Sequence, residues 1–146
     1  MTGLYVVGVA LVLALGFGLY RKAVDGRVRT VRAGAVANPL GLDADLGDTA
    51  TLVQFSSVAC APCRVTARVL EEVSASTDGV AHIEIDAEQR LDLVGDLGIT
   101  RTPTVLVLDG SGAVRSRMVG APRREDVLAA LAGLADVPAT ANPTAA

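Results

Sequence analysis

The first residues able to do chemistry are Cys60 and Cys63, the only two cysteines in 146 residues. They lie in the run Thr51-Leu-Val-Gln-Phe55-Ser-Ser-Val-Ala-Cys60-Ala-Pro-Cys63-Arg64. Thiols three apart can ligate a metal, form a redox couple, or lie unrelated in a core. Zinc needs four ligands. The single histidine, His82, leaves the set one short, so a zinc site would have to be shared between two chains. Two unrelated buried thiols fit poorly with a proline between them at an element junction. A dithiol–disulfide site is the favoured reading, and the other two stay open.

The flanking elements give the thiols different roles. Thr51 to Phe55 is a short, apolar, β-favouring run of the kind that forms a buried strand. From Arg64 the period becomes helical, with Val65, Val69, Leu70 and Val73 at three- and four-residue intervals. Cys60 therefore falls at or just before a helix start, where free N–H groups and the positive dipole end favour a thiolate. That makes Cys60 the candidate nucleophile. Cys63, three residues on, is placed to attack a mixed disulfide formed at Cys60. Pro62 suits the first turn, where its missing N–H has no intrahelical partner.

This stretch resembles the active-site segment of thioredoxins, V-D-F-W-A-x-W-C-G-P-C-K. Downstream, Val80-Ala-His-Ile-Glu-Ile-Asp86 resembles the family's third strand. Gly98-Ile-Thr-Arg-Thr-Pro103-Thr104 resembles its cis-proline loop, and Val119-Gly120-Ala121 the turn before its last helix. The resemblance runs from about residue 51 to 134 with order and spacing intact. It implies an α/β fold, a three-layer α/β/α sandwich with a mixed central sheet, and a redox disulfide between Cys60 and Cys63. It also implies a cis Thr102–Pro103 bond beside the dithiol, a bond type that X-Pro alone adopts at low cost. Such a bond turns the Thr102 backbone toward a substrate peptide able to pair in extended form. Ala61, Pro62, Thr102 and Gly120 are the expected substrate-binding positions, with Gly120 allowing close backbone approach.

The departures from the family pattern are specific. Gln54 stands where thioredoxins carry a buried Asp, and an amide cannot take a proton from Cys63 as a carboxylate can. His82 stands at the place of the accompanying lysine and is a candidate substitute base, with an ordinary strand histidine as the rival reading. Ser56 and Ala59 replace both usual tryptophans, which removes a flat apolar docking surface.

Outside the resemblance lies an apolar start. Met1 to Tyr20 has no charged side chain, and about twenty helical residues span roughly 30 Å, the hydrocarbon thickness of a bilayer. A cleaved signal would want positive charge before the apolar run and a small-x-small site after it. Arg21-Lys22 follows directly instead, so an uncleaved anchor is expected. Arg21, Lys22, Arg27, Arg29 and Arg32 follow the run against Asp25 alone, and no Lys or Arg precedes it. The positive-inside rule then puts the catalytic domain on the cytoplasmic side, with this basic flank against anionic lipid headgroups. Residues 33–146 hold eight basic and fifteen acidic residues, a net of −7, and the chain has four aromatics. Nucleic-acid binding is unsupported by such a balance.

The expected organisation is a transmembrane anchor over 1–20 and a basic linker with an abbreviated N-terminal element over 21–50. A thioredoxin-like domain follows over 51–136, then a disordered Pro/Ala/Thr-rich tail over 137–146. Within the domain a strand runs from Val80 to Asp86 and a short helix from Leu91 to Leu97. A hairpin turns at Asp109-Gly-Ser-Gly112, and its return strand shows Arg115 and Arg117 on one face, Val114 and Met118 on the other. Pro122 is read as opening a last helix with a stripe of Val127, Leu128, Leu131 and Leu134.

The function expected is a membrane-anchored thiol–disulfide oxidoreductase, acting as a protein-disulfide reductase without bound metal or cofactor. Its partners would be disulfide-containing proteins and an electron donor such as a thioredoxin reductase. Two alternatives stand beside it. One is an extracytoplasmic thiol reductase of the cytochrome-maturation type. The other is a non-catalytic adaptor keeping the fold.

Overall fold

The computed structural model describes residues 2–24, 28–30 and 46–135. The tail, residues 31–45 of the linker, and the side chains of the basic flank lie outside the described residues. Helix α1 is Thr2–Val24 and strand β1 is Val28–Thr30. Then come β2 (Ala50–Ser56), α2 (Ala61–Ala75), β3 (Val80–Asp86), α3 (Leu91–Asp96), β4 (Thr104–Asp109), β5 (Val114–Val119) and α4 (Arg124–Ala135).

The sheet is mixed, in the order β1-β5-β4-β2-β3. β2 is an interior strand between β3 and β4, parallel to the first and antiparallel to the second, and all seven of its residues are buried. Thr51, Leu52, Val53 and Phe55 form a β-favouring run, broken only by Gln54, because both faces are covered. β1, from within the stretch read as linker, pairs antiparallel with β5 at one edge.

Each face has its own core. Val53, Phe55, Ile85, Leu106 and Leu108 pack with Leu93 of α3, and Ile99 and Val114 join them. On the other face Leu52, Val105, Val107 and Met118 pack with Leu70 and Val73 of α2 and Val127 and Ala130 of α4. α3 thus covers one face and α2 with α4 the other.

Three sequence expectations shift. Val65 is 59% exposed, because the buried stripe of α2 is Cys63, Thr66, Leu70 and Val73; the helix turns its dithiol side, not Val65, to the sheet. Val114 and Met118 do not share a face. A register irregularity between Val107 and Leu108 sends Val114 to the α3 side and Met118 to the α2/α4 side, as an inserted residue in a ladder does. α4 begins at Arg124, two residues beyond Pro122, where the Arg123 N–H donates to Asp126 Oδ2 at 3.1 Å.

The hairpin turn is held by Asp109. Its Oδ1 accepts from the N–H groups of Ser111 and Ala113, and its Oδ2 from Arg115 Nε at 2.6 Å. Burial pushes the Asp109 carboxyl up, but the bonds from Ser111, Arg115 and Ala113 outweigh it and hold the group below its ordinary value.

α1 stands apart in character. The large apolar residues described on it, from Tyr5 to Tyr20, are all exposed. Among the residues whose side chains are described, no helix is long and apolar enough to cross a membrane.

Candidate active site

The dithiol sits where β2 ends and α2 begins. Cys60 is the N-cap of α2 in extended backbone conformation, and Pro62 falls in the first turn. The Cys63 N–H, one of the amides that a helix start leaves without a partner, donates to Cys60 Sγ at 3.2 Å. Cys60 and Cys63 are joined as a disulfide, their Cα atoms 5.3 Å apart. The two sulfurs differ in access: Cys60 is half-buried, whereas Cys63 is only 2% exposed. A helix-start sulfur open to solvent can attack an external disulfide. A covered one three residues later meets only what its neighbour presents.

Facing the dithiol's end of the sheet is the loop before β4. The Thr102–Pro103 peptide bond is cis. Three contacts pin the loop. Gly120 N–H donates to Pro103 C=O at 2.8 Å, Thr104 Oγ1 to Arg101 C=O at 2.7 Å, and the hydroxyls of Ser57 and Thr102 meet at 3.3 Å. Gly120 has φ +91°, a region open to glycine and strained for residues with a Cβ. Ser57 is a contributor that the sequence did not single out; its position three residues before Cys60 was the available signal.

Behind the dithiol, Gln54 is fully buried on β2. Its Nε2 donates to the Cys63 carbonyl at 3.0 Å and to Glu84 Oε1 at 3.3 Å. Glu84 is its register partner on β3. This carboxylate also went unnoticed in the sequence, since the signal is the parallel register and not the local pattern. The Oε1 of Gln54 is buried without a hydrogen-bond partner, as are Thr66 Oγ1, His82 Nε2 and Ser116 Oγ.

His82 lies on β3 opposite Leu52. Burial lowers its pKa from 6.5, and the nearby charges of Glu71 and Glu84 offset this only in part. The imidazole is therefore neutral at pH 7. No hydrogen bond joins His82 to Cys63 among the described residues; the contact with Cys63 is made by Gln54.

Around the dithiol, Ala59, Ala61 and Pro62 are exposed, and Val58 is 85% exposed. With Val65 they form a small apolar rim where bulky aromatics are lacking. Ser56, at one of the two tryptophan positions, is buried. Among the described residues no group of His, Cys, Asp and Glu could hold a metal ion.

A cap-position cysteine bonded to a covered second cysteine, beside a cis-proline loop on a mixed α/β sheet, defines a thiol–disulfide oxidoreductase. Comparison with known proteins agrees. The thioredoxin family model matches residues 42–133, more than half of the chain. A thioredoxin from Alicyclobacillus acidocaldarius is 32% identical over 87 residues, 59% of this chain and 82% of its own length. Thioredoxin 2 of Chlorobaculum tepidum is 35% identical over 75 residues, 51% of this chain and 68% of its own. Among solved structures, chloroplastic thioredoxin z superposes with a TM-score of 0.56 at 26% identity, covering 62% of this chain and 81% of that one. The chain belongs to the thioredoxin family, as the resemblance implied.

Proposed function

We propose that the protein is a membrane-anchored protein-disulfide reductase whose dithiol domain lies on the cytoplasmic side. The observation that carries the redox assignment is the asymmetry of the pair. Cys60 is accessible at the helix start and accepts an amide N–H, while Cys63 is covered behind it.

In the proposed cycle the Cys60 thiolate attacks one sulfur of a substrate disulfide. A Cys60–substrate bond forms, and the first substrate thiolate leaves and takes up a proton. Cys63, deprotonated, then attacks Cys60 Sγ. The Cys60–Cys63 bond closes, the second substrate thiolate departs, and two electrons have passed to the substrate. An external donor such as a thioredoxin reductase restores the dithiol. Thr102, Ala61, Pro62 and Gly120 surround the place where an extended substrate segment would lie.

The fate of the Cys63 proton separates this protein from the family pattern. Gln54 cannot accept it, because an amide nitrogen donates and its oxygen is a weak base. His82 is neutral and so able to act as a base through water. Glu84 is a carboxylate hydrogen-bonded to Gln54.

The anchor rests on the uncharged Met1–Tyr20 run, the 23-residue length of α1, its exposed apolar surface, and the basic residues after it. The redox reading is tested with insulin and dithiothreitol. The protein should accelerate insulin reduction and Cys60→Ser should not; wild-type protein as slow as Cys60→Ser sinks the enzyme assignment. The topology is tested with C-terminal reporters. An alkaline phosphatase fusion active outside the cytoplasm would overturn the orientation and favour the cytochrome-maturation alternative.

A further inference from the structure

β3 ends the sheet. β2 pairs along its inner side, and among the described residues no strand pairs along its outer side. The opposite edge is β1 itself, only three residues long and paired with β5. Natural edge strands are usually blunted by proline, by charged side chains, lysine above all, or by a bulge. Val80-Ala-His-Ile-Glu-Ile-Asp86 has no proline, lysine or bulge; its charges are the carboxylates of Glu84 and Asp86, and it pairs with β2 in unbroken register over its whole length.

The direction of the backbone groups follows from the bonds at its two ends. Ala50 N–H donates to Gly79 C=O at 3.2 Å and Ala87 N–H to Ser56 C=O at 2.9 Å. Residues 79 and 87 thus face β2. Alternation along a parallel ladder turns the N–H and C=O of His82 and Glu84 outward. At the flanks, Val80 N–H is taken by Thr77 C=O, and Asp86 C=O accepts from Gln89 and Arg90. The outward groups left at the flanks are Val80 C=O and Asp86 N–H.

This set is self-complementary. We propose that the β3 edge is the interface to a second copy of this chain, with the two β3 strands antiparallel about a two-fold axis at Ile83. His82 then exchanges both backbone hydrogen bonds with Glu84 of the second copy, and Val80 C=O accepts from Asp86 N–H of the second copy. The outward groups left open at the flanks are the ones this register uses. Side chains agree with it. His82 lies beside the opposite carboxylate in both halves, and Ile83 meets Ile83 of the second copy on the α3 face, extending the core that Ile85 begins. Neighbouring symmetric registers are poorer. An axis at Glu84 opposes two carboxylates, and one at His82 opposes two imidazoles and sets Glu84 against Val80. Because the interface is isologous it closes at two copies.

The test uses the full chain in detergent micelles. At the axis, the Ile83 pair has no hydrogen bonds of its own and its Cα atoms lie about 4.5 Å apart. I83C should therefore form a covalent dimer under mild oxidation, at least several-fold more than A81C alone. Mixing A81C with I85C should restore cross-linking. E84P removes an outward N–H and leaves the β2 ladder intact, so it should give a folded monomer by circular dichroism and mass measurement. A monomeric wild type overturns the proposal, whether the edge is bare or held by residues 31–45 of its own chain. So does a dimer that E84P leaves intact, or one in which I83C does not cross-link, since either places the contact elsewhere, α1 included.

Discussion

The two faces of the sheet share the same strands and differ in how completely their polar atoms are matched. Under α3 the core is hydrocarbon: Val53, Phe55, Ile85, Leu93, Leu106 and Leu108. On the side of α2 and α4 an apolar cluster of the same kind shares its face with Gln54, Thr66, His82 and Ser116, and each of these four has a buried polar atom without a partner. Unmatched buried groups cost stability. The face that tolerates them is the one on which α2 carries the dithiol. One face is built for stability, and the other gives some up where a proton must move.

The largest effect separating the two should come from the apolar side. Phe55→Ala removes the largest fully buried side chain and should cost about 3–5 kcal/mol in denaturant unfolding. The alkylation rate of Cys60 in the molecules that stay folded should not change. A loss below about 1 kcal/mol would mean that the α3 face is not the main support.

On the polar side, Gln54→Asp puts a charge beside Glu84 and should cost about 2–4 kcal/mol if both carboxylates ionise. Like-charge repulsion should also raise the apparent pKa of Cys60, read from the pH dependence of alkylation. An unchanged Cys60 titration would show that position 54 does not communicate with the thiols.

A smaller loss, about 1–2 kcal/mol, is expected for Gly120→Ala, because φ +91° strains any residue with a Cβ. The turn is held to Pro103 by the Gly120 N–H, so the variant should also slow substrate reduction. Full stability together with full activity would contradict this.

The smallest effect concerns pH. His82 has a folded-state pKa below its ordinary 6.5, so the unfolded chain binds the proton more readily. Stability should be at its full value above pH 6.5 and fall as pH drops from there through the folded-state value. His82→Gln should flatten that part of the curve. A wild-type curve already flat between pH 7 and 5 would mean that the imidazole is solvated.

Much of this was legible in the sequence where local pattern and packing coincide. The sequence pattern marks Val80–Asp86 at its observed bounds and the strand before the dithiol to within one residue at each end, because each is a short apolar run between turn residues. The position of Cys60 at a helix start followed from the change of period. What escaped depends on cross-strand register. Glu84 reaches Gln54 because β2 and β3 pair in parallel with those residues opposite, a relation that no window along the chain reveals. Val114 left the face of Met118 through a bulge written by neither strand alone. Val65 fits the helical period but lies just off the stripe begun by Cys63 and Thr66, which are less hydrophobic yet better placed.

The asymmetry of the dithiol makes Cys60 the attacking sulfur. The decisive measurement reduces the protein, adds iodoacetamide in limiting amount at neutral pH, and identifies the labelled cysteine by peptide mass. Cys60 should be labelled first, with an apparent pKa below the ordinary thiol value of about 8.5. Labelling of Cys63 first, or of both at equal rates, would contradict it.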